Sequence, residues 1–352
     1  MKKILVVNQG HTKNYGDVAI NSTITKFFEE KNLEVDCIPY WEETLVFGKN
    51  YKKIPYRIIS IIMNNTFLVD FFNRRAIKKQ IKNKNYDAVI IGGGELIGNH
   101  DGFNSSLNVI TKIFQKKNIP VYLLGVSGDV DITDKAKRRY KEALNRCKQV
   151  IVRDAHTEKI CKETYKTDCK KGTDVVFAYL KVMKDNFDIE KEDKKDITIL
   201  VPISYNKKIK ETLNIKTKED YYEYILNLVR KNISKTSKLV ITSSVLDDEK
   251  CSKEIYEYLK KSIKENEIEF IEYTNLDKFI ELLKLSTIVI SARMHAMILG
   301  LIYGNKVEVI PFKTKLKVFK EEYQDIDTKK LNTVQENTYK ELEELYDEIN
   351  NK

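Results

Sequence analysis

Ten short apolar runs punctuate the chain, most of them followed by a polar or glycine-bearing loop and then by a stretch with helical spacing. Residues 3–7, 34–38, 88–91, 121–124 and 150–152 form the first series, with lysine-rich helical stretches such as "TDKAKRRYKEALNRC" between strands. A second series follows in "ITILVPI", "KLVITSS", "IEFIEY", "TIVIS" and "VEVIPF". Alternation of this kind dictates parallel sheets covered by helices on both faces. The polar stretch "KVMKDNFDIEKEDKK", residues 181–195, separates the two series and reads as a linker. The expectation is therefore an α/β chain of two doubly wound, Rossmann-like domains facing a cleft, at 1–180 and 196–352. The 352 residues are enough for two such domains. The second is expected to include the final helix, "YKELEELYDEI", whose Leu342, Leu345, Tyr346 and Ile349 share one face.

Composition narrows the classes. At 42% hydrophobic and 32% charged residues the chain is globular. The start, "MKKILVVNQG", has too short an apolar core for a signal peptide and reads as the first strand. No run approaches the roughly 18 apolar residues of a membrane span. Five cysteines without a C-x-x-C pair speak against a disulfide scaffold or a zinc site, and the expected compartment is the reducing cytoplasm. The net charge of +10 favours anionic partners, but the basic residues form no aromatic-interleaved stripe of the kind nucleic-acid binders use. Residues 56–85, "YRIISIIMNNTFLVDFFNRRAIKKQIKNKN", run from apolar to basic. A helix with Ile77 and Ile81 on one side, and Arg74, Arg75, Lys78 and Lys82 around them, suits an anionic membrane surface. A crossover helix pair with a solvated outer face is the plainer reading.

Ligands of open α/β sheets sit outside the carboxyl ends of the strands, so the loops there carry the chemistry. The first, "NQGHTKNYGDVAI", offers Asn14 or Asp17 as a helix cap and Gly16 as a turn. Its spacing is neither a dinucleotide fingerprint nor a P-loop. In "IIGGGELIGNHD" the glycines, Gly93 and Gly94 among them, are expected in a loop whose N–H groups cradle an oxyanion or sugar hydroxyl, with Glu95 and His100 following. "VIVRDAHTEK" sets Arg153 beside Asp154 after a strand, where an ion pair with Asp154 or another neighbour is the plain account. All four histidines, His11, His100, His156 and His295, fall in expected strand-end loops. The stretch "STIVISARMHAMILGLIYG" places Arg293 and His295 between a buried strand and an apolar helix. A guanidinium fork fits carboxylate or phosphate, a helix start adds N–H donors, and an imidazole delivers protons. With Arg153 the pair makes a receptacle for a small, multiply charged anion that must be protonated.

Taken in order, "NYGDVAI", "VIIGGGEL", "VRD" and "SARMHAMILGLIYGNKVEVIPFKTKLKVF" resemble the polysaccharide pyruvyl transferase family, from the first strand to about Phe319. Met294 stands where the family usually has Leu, and Phe312 where Tyr is common. The resemblance implies a GT-B-like fold and transfer of the pyruvyl group of phosphoenolpyruvate onto two hydroxyls of one sugar, as a cyclic ketal. It implies that Arg153, Arg293, His295 and Lys315 face phosphoenolpyruvate. Asn14, Gly16, Asp17, Gly93, Gly94, Glu95 and His100 would line the acceptor side. His295 is the expected acid, and Asp17 or His100 the base. No cofactor or metal is expected beside the phosphoenolpyruvate co-substrate. The acceptor would be a glycan or lipid-linked oligosaccharide of cell-surface polysaccharide synthesis, met in the cytoplasm or at the inner face of the membrane. The alternatives are a sugar-nucleotide glycosyltransferase and a non-catalytic glycan- or anion-binding protein of the same fold.

Overall fold

The computed structural model describes residues 1–128, 132–185, 194–233, 238–264 and 267–351, which divide into two compact units. The first comprises Met1–Thr12, Ile20–Ala178 and Asn337–Lys352; the second comprises Lys13–Ala19 and Tyr179–Glu336. Residues 186–193 of the expected linker lie outside the described residues, while Lys181 to Met183 close the short helix Tyr179–Met183.

The sheet of the first unit is built from β1 (Lys3–Asn8), β2 (Glu34–Pro39), β3 (Ala88–Ile97), β4 (Val121–Gly128), β5 (Gln149–Val152) and β6 (Lys170–Lys171). All pair in parallel, in the order β2-β1-β3-β4-β5-β6. Runs such as Ile4, Leu5, Val6 and Val7, all wholly buried, are what a strand covered on both faces requires. The two-residue β6 was not anticipated, because two lysines carry no strand pattern.

Residues 92–94 depart from expectation. They lie inside β3, which continues to Ile97, and Gly92 and Gly94 pair with Leu124 and Val126 of β4. Gly93 has φ of 75°, a conformation strained for other residues, and a Cβ there would sit 2.2 Å from Ile20 Cγ2. The glycines thus let the helix Tyr15–Glu30 settle onto a bent, buried strand. Sheet pairing and helix packing claim this backbone in place of the expected ligand loop.

In the second unit β7 (Ile197–Val201), β8 (Lys238–Ile241), β9 (Ile268–Phe270), β10 (Ile288–Ser291) and β11 (Lys306–Val309) form a parallel sheet in the order β11-β10-β7-β8-β9. The helix Met294–Ile302 follows β10, and Gly300 lets it lie close on Val289. Each sheet therefore has one point where the winding reverses, between β1 and β3 in the first and between β10 and β7 in the second.

Two further expectations are corrected. Ile77 and Ile81 are 2% and 4% exposed and belong to the core of the first unit, so they present nothing to a membrane. The final helix, Thr328–Asn350, was assigned to the second domain, but residues 337–352 count with the first unit. Leu342, Leu345 and Ile349 are buried, Tyr339 meets the ring of Phe27, and Glu343 and Glu344 pair with Lys31 and Lys170. An apolar stripe must bury itself somewhere, but nothing local in its sequence says against what.

Within that contact Glu341 abuts Gly172, and burial pushes its carboxyl up from the ordinary 4.5 to about 7, with Lys170 drawing it partly back. The folded value lies above the unfolded one, so the unfolded chain loses its proton first. Stability is fully present below the unfolded value and declines as pH rises towards about 7. Glu341→Gln removes this titration. Thermal denaturation should show a melting temperature gain over wild type that is larger at pH 8 than at acidic pH. A gain independent of pH would mean that Glu341 titrates alike in both states.

Candidate active site

The winding of the second sheet reverses between β7 and β10, and there the chain leaves β10 through Ser291, Ala292 and Arg293. Ser291 Oγ accepts the Arg293 N–H at 2.8 Å, a turn that delivers Arg293 to the cap position of the helix Met294–Ile302. His295 lies in the first turn of that helix, half-buried. Helix starts at such points expose N–H donors and carry partial positive charge.

Arg293 is held by Asp248, whose Oδ2 accepts Nε at 2.7 Å and lies 2.6 Å from Nη2. Both contacts fall on one carboxylate oxygen. The Asp248 side chain is 7% exposed and that of Arg293 is 39% exposed, so part of the fork stays open to solvent. Burial holds the pKa of Asp248 above the ordinary carboxylate value, and the Arg293 guanidinium offsets only part of that rise. The acid therefore aims an arginine whose remaining donors can take an anion.

The segment Lys13–Ala19 brings the first strand's loop to the same unit. Tyr15 N–H donates to Ser244 O at 2.8 Å, Leu246 N–H donates to Lys13 O at 3.0 Å, and Asn14 bridges Val245. The Tyr15 hydroxyl accepts the Thr274 N–H at 2.8 Å, and its ring stacks on Tyr273 with centroids 4.6 Å apart. Asn14 Oδ1 accepts the Gly16 N–H at 3.0 Å, while its Nδ2 donates to Asp17 Oδ2 at 3.0 Å. Asn14 is thus the cap, and Asp17 sits in the first helical turn. A Cβ on Gly16 would fall 2.2 Å from His295 Nδ1. Glycine is required here because the imidazole lies directly against the backbone.

The second unit therefore gathers Asn14, Gly16, Asp17, Arg293 and His295. Lys315, half-buried in the first turn of the helix Thr314–Tyr323, follows β11, the strand paired with β10. Among the described residues no group of three His, Cys, Asp or Glu side chains could hold a metal ion.

The remaining expected residues belong to the first unit. Arg153 is 5% exposed; Nη1 donates to Asp174 Oδ2 at 2.8 Å and Nη2 to Ser127 Oγ at 2.6 Å. Its partner is not Asp154, which caps the helix Ala155–Ile160 through the Thr157 N–H. Gly93, Gly94 and Glu95 are strand residues of β3. His100 caps the helix Asp101–Gln115: Nδ1 accepts the Phe103 N–H at 3.1 Å, and the ring packs 4.5 Å from that of Phe103. Burial against these neighbours lowers its pKa, and the cap leaves only Nε2 for other work. His156 and His295 lie in helical first turns and not in the loops expected for them.

Sequence reasoning missed Asp248, Tyr15 and the serines after β8. Ser243 Oγ is buried with no hydrogen-bond partner among the described residues. The signal available was "SSVLDDE", polar residues between a buried strand and a helix.

The family model described as polysaccharide pyruvyl transferase matches residues 14–307. Comparison with curated protein sequences gives no match. Among solved structures, a UDP-GlcNAc 2-epimerase from Methanocaldococcus jannaschii is similar over 96% of this chain and 92% of its own, with TM-score 0.54 and 13% identity. A glycosyltransferase from Rickettsia africae ESF-5 is similar over 99% and 98%, with TM-score 0.53 and 15% identity. Sucrose-phosphate synthase from Thermosynechococcus elongatus is similar over 99% and 96%, with TM-score 0.51 and 10% identity. At such identities the likeness is one of fold, the two-domain α/β fold of GT-B type.

Gly16→Ala should push the helix start off the imidazole. Overpacking of this kind costs roughly 1–3 kcal/mol, readable by denaturant unfolding. The His295 ring resonances should shift in NMR spectra while those of His156, in the other unit, stay in place. Unchanged His295 resonances would mean that the two do not touch.

Proposed function

The chain belongs to the polysaccharide pyruvyl transferase family, and from that premise we propose that it moves the pyruvyl unit of phosphoenolpyruvate onto two hydroxyls of one sugar in a glycan acceptor. The observation that carries this reading is the gathering of Arg293, His295 and the Asn14–Asp17 segment in one unit, with Gly16 against the imidazole.

Phosphoenolpyruvate bears a carboxylate and a phosphate beside a carbon–carbon double bond. Arg293, aimed by Asp248, takes one anionic group, and Lys315 with the helix start at Met294 serves the other. A protonated His295 gives its proton to the methylene carbon, leaving a cationic C2 that a sugar hydroxyl attacks. A neighbouring hydroxyl of the same sugar then displaces inorganic phosphate and closes the ketal ring. The two hydroxyl protons leave to a base and to the departing phosphate. Asp17 is the base this reading favours, because it lies one residue beyond Gly16 while His100 spends a ring nitrogen on a helix cap. Arg153, with both arms of its fork engaged, holds the frame of the first unit in this account. The acceptor class is a sugar unit of a polysaccharide or its lipid-linked precursor, in keeping with the UDP-sugar enzymes that share the fold.

Calorimetry with phosphoenolpyruvate should show saturable binding that Arg293→Ala weakens at least about tenfold. Once an acceptor is in hand, His295→Gln should retain binding and lose roughly 100-fold or more in turnover. Binding of a UDP- or GDP-sugar in place of phosphoenolpyruvate would overturn the assignment in favour of a glycosyltransferase. Near-native turnover of the Gln variant would remove His295 as the acid.

A further inference from the structure

Eight large hydrophobic side chains are exposed among the described residues, and six of them, Leu45, Tyr56, Ile58, Ile61, Phe67 and Phe71, fall within 27 positions of the first unit. Scattered exposure needs no explanation, but such concentration does. The helix Tyr56–Asn64 holds four isoleucines and a methionine, and none of its residues is buried. In the next helix, Thr66–Gln80, Val69, Asn73, Ala76 and Ile77 face inward, whereas Phe67 and Phe71, four apart, are 77% and 54% exposed. The aromatic pair therefore belongs to the outer face, opposite the side that anchors the helix.

The charge around this face has one sign. Residues 45–82 contain nine lysines and arginines and a single acid, Asp70. Asp70 is consumed internally: it pairs with Arg139 at 2.6 Å and accepts from Ser105 at 2.8 Å and Asn108 at 2.9 Å. Among the described residues none of the nine cations forms an ion pair, and Lys52, Lys53, Arg57, Arg75, Lys78 and Lys79 are exposed. Apolar tips ringed by unpaired cations meet both demands of an anionic bilayer, insertion at the acyl boundary and attraction to the headgroups.

We propose that residues 45–82 dock the protein on the surface of an anionic phospholipid bilayer, with Ile58, Ile61, Phe67 and Phe71 entering the interface. Other occupants fit less well. A second copy related by a twofold axis would set nine cations against nine. A nucleic acid would use the cations and gain nothing from exposed isoleucines. The proposal stands apart from the reaction assigned above, since docking is read without any substrate.

Flotation of the full chain on a density gradient tests it, using phosphatidylglycerol–phosphatidylcholine vesicles beside pure phosphatidylcholine vesicles. The expected result is co-flotation with the anionic vesicles only, abolished by roughly 0.5 M salt, where charges are screened beyond a few ångströms. The double variant F67S/F71S should partition at least about tenfold less while keeping the wild-type melting temperature, since both rings are exposed. Four outcomes would overturn the proposal: wild type that never floats, equal flotation with neutral vesicles, undiminished flotation of the double variant, or a stable dimer that F67S/F71S converts to monomer.

Discussion

A parallel strand can be re-entered only through a crossover, and the crossover carries the chain back across the sheet each time. In both units this sends every strand's carboxyl end to one edge. The side chains to which the proposed reaction is given are placed by that constraint. Arg293 and His295 leave β10, Lys315 follows β11, and Asp248 and the serines follow β8, although their numbers are far apart. The reversal of winding between β10 and β7 leaves a gap between the loops that diverge there, and the Arg293–His295 turn stands at its rim.

Electrostatics explain why the two arginines of the expected anion receptacle end differently. Arg153 and Asp174 are both nearly wholly buried, and removing one partner of such a pair strands a charge at a cost of roughly 3–5 kcal/mol. Arg293 instead spends two donors on a single oxygen of a buried carboxylate and keeps the rest in contact with solvent. The first arrangement suits a frame, the second a ligand. Neither could be told from the other by residue type alone.

The segment that carries the exposed aromatics shows one sequence serving two faces. Helical spacing puts Asn73, Ala76 and Ile77 inside, where Asn73 donates to Ser105 and Ser106, and leaves Phe67 and Phe71 outside. Two readings were open to this stretch, a helix with Ile77 and Ile81 towards a membrane and a crossover helix pair with a solvated outer face. The packing of the first unit rules out the first for these two residues by putting both in its core.

Ten of the eleven strands among the described residues, the two parallel sheets and the Arg293–His295 turn were legible because they rest on local signals: apolar runs, period and turn residues. The two-lysine β6 had no such signal. Gly92 to Gly94 were legible as glycines but not as strand, because whether a glycine frees a loop or admits a neighbour depends on what packs there, here Ile20. The sequence by itself determined the fold class, the strand ends where ligands would be met and the cationic character of residues 45–82. Only the tertiary structure decided that Asp248 aims Arg293, that Asp174 and not Asp154 holds Arg153, that Gly16 lies against His295, and that the last helix from Asn337 onward belongs with the first unit. Those are choices of partner between residues remote in the chain, and a pairing energy depends on distances and burial that no local pattern encodes.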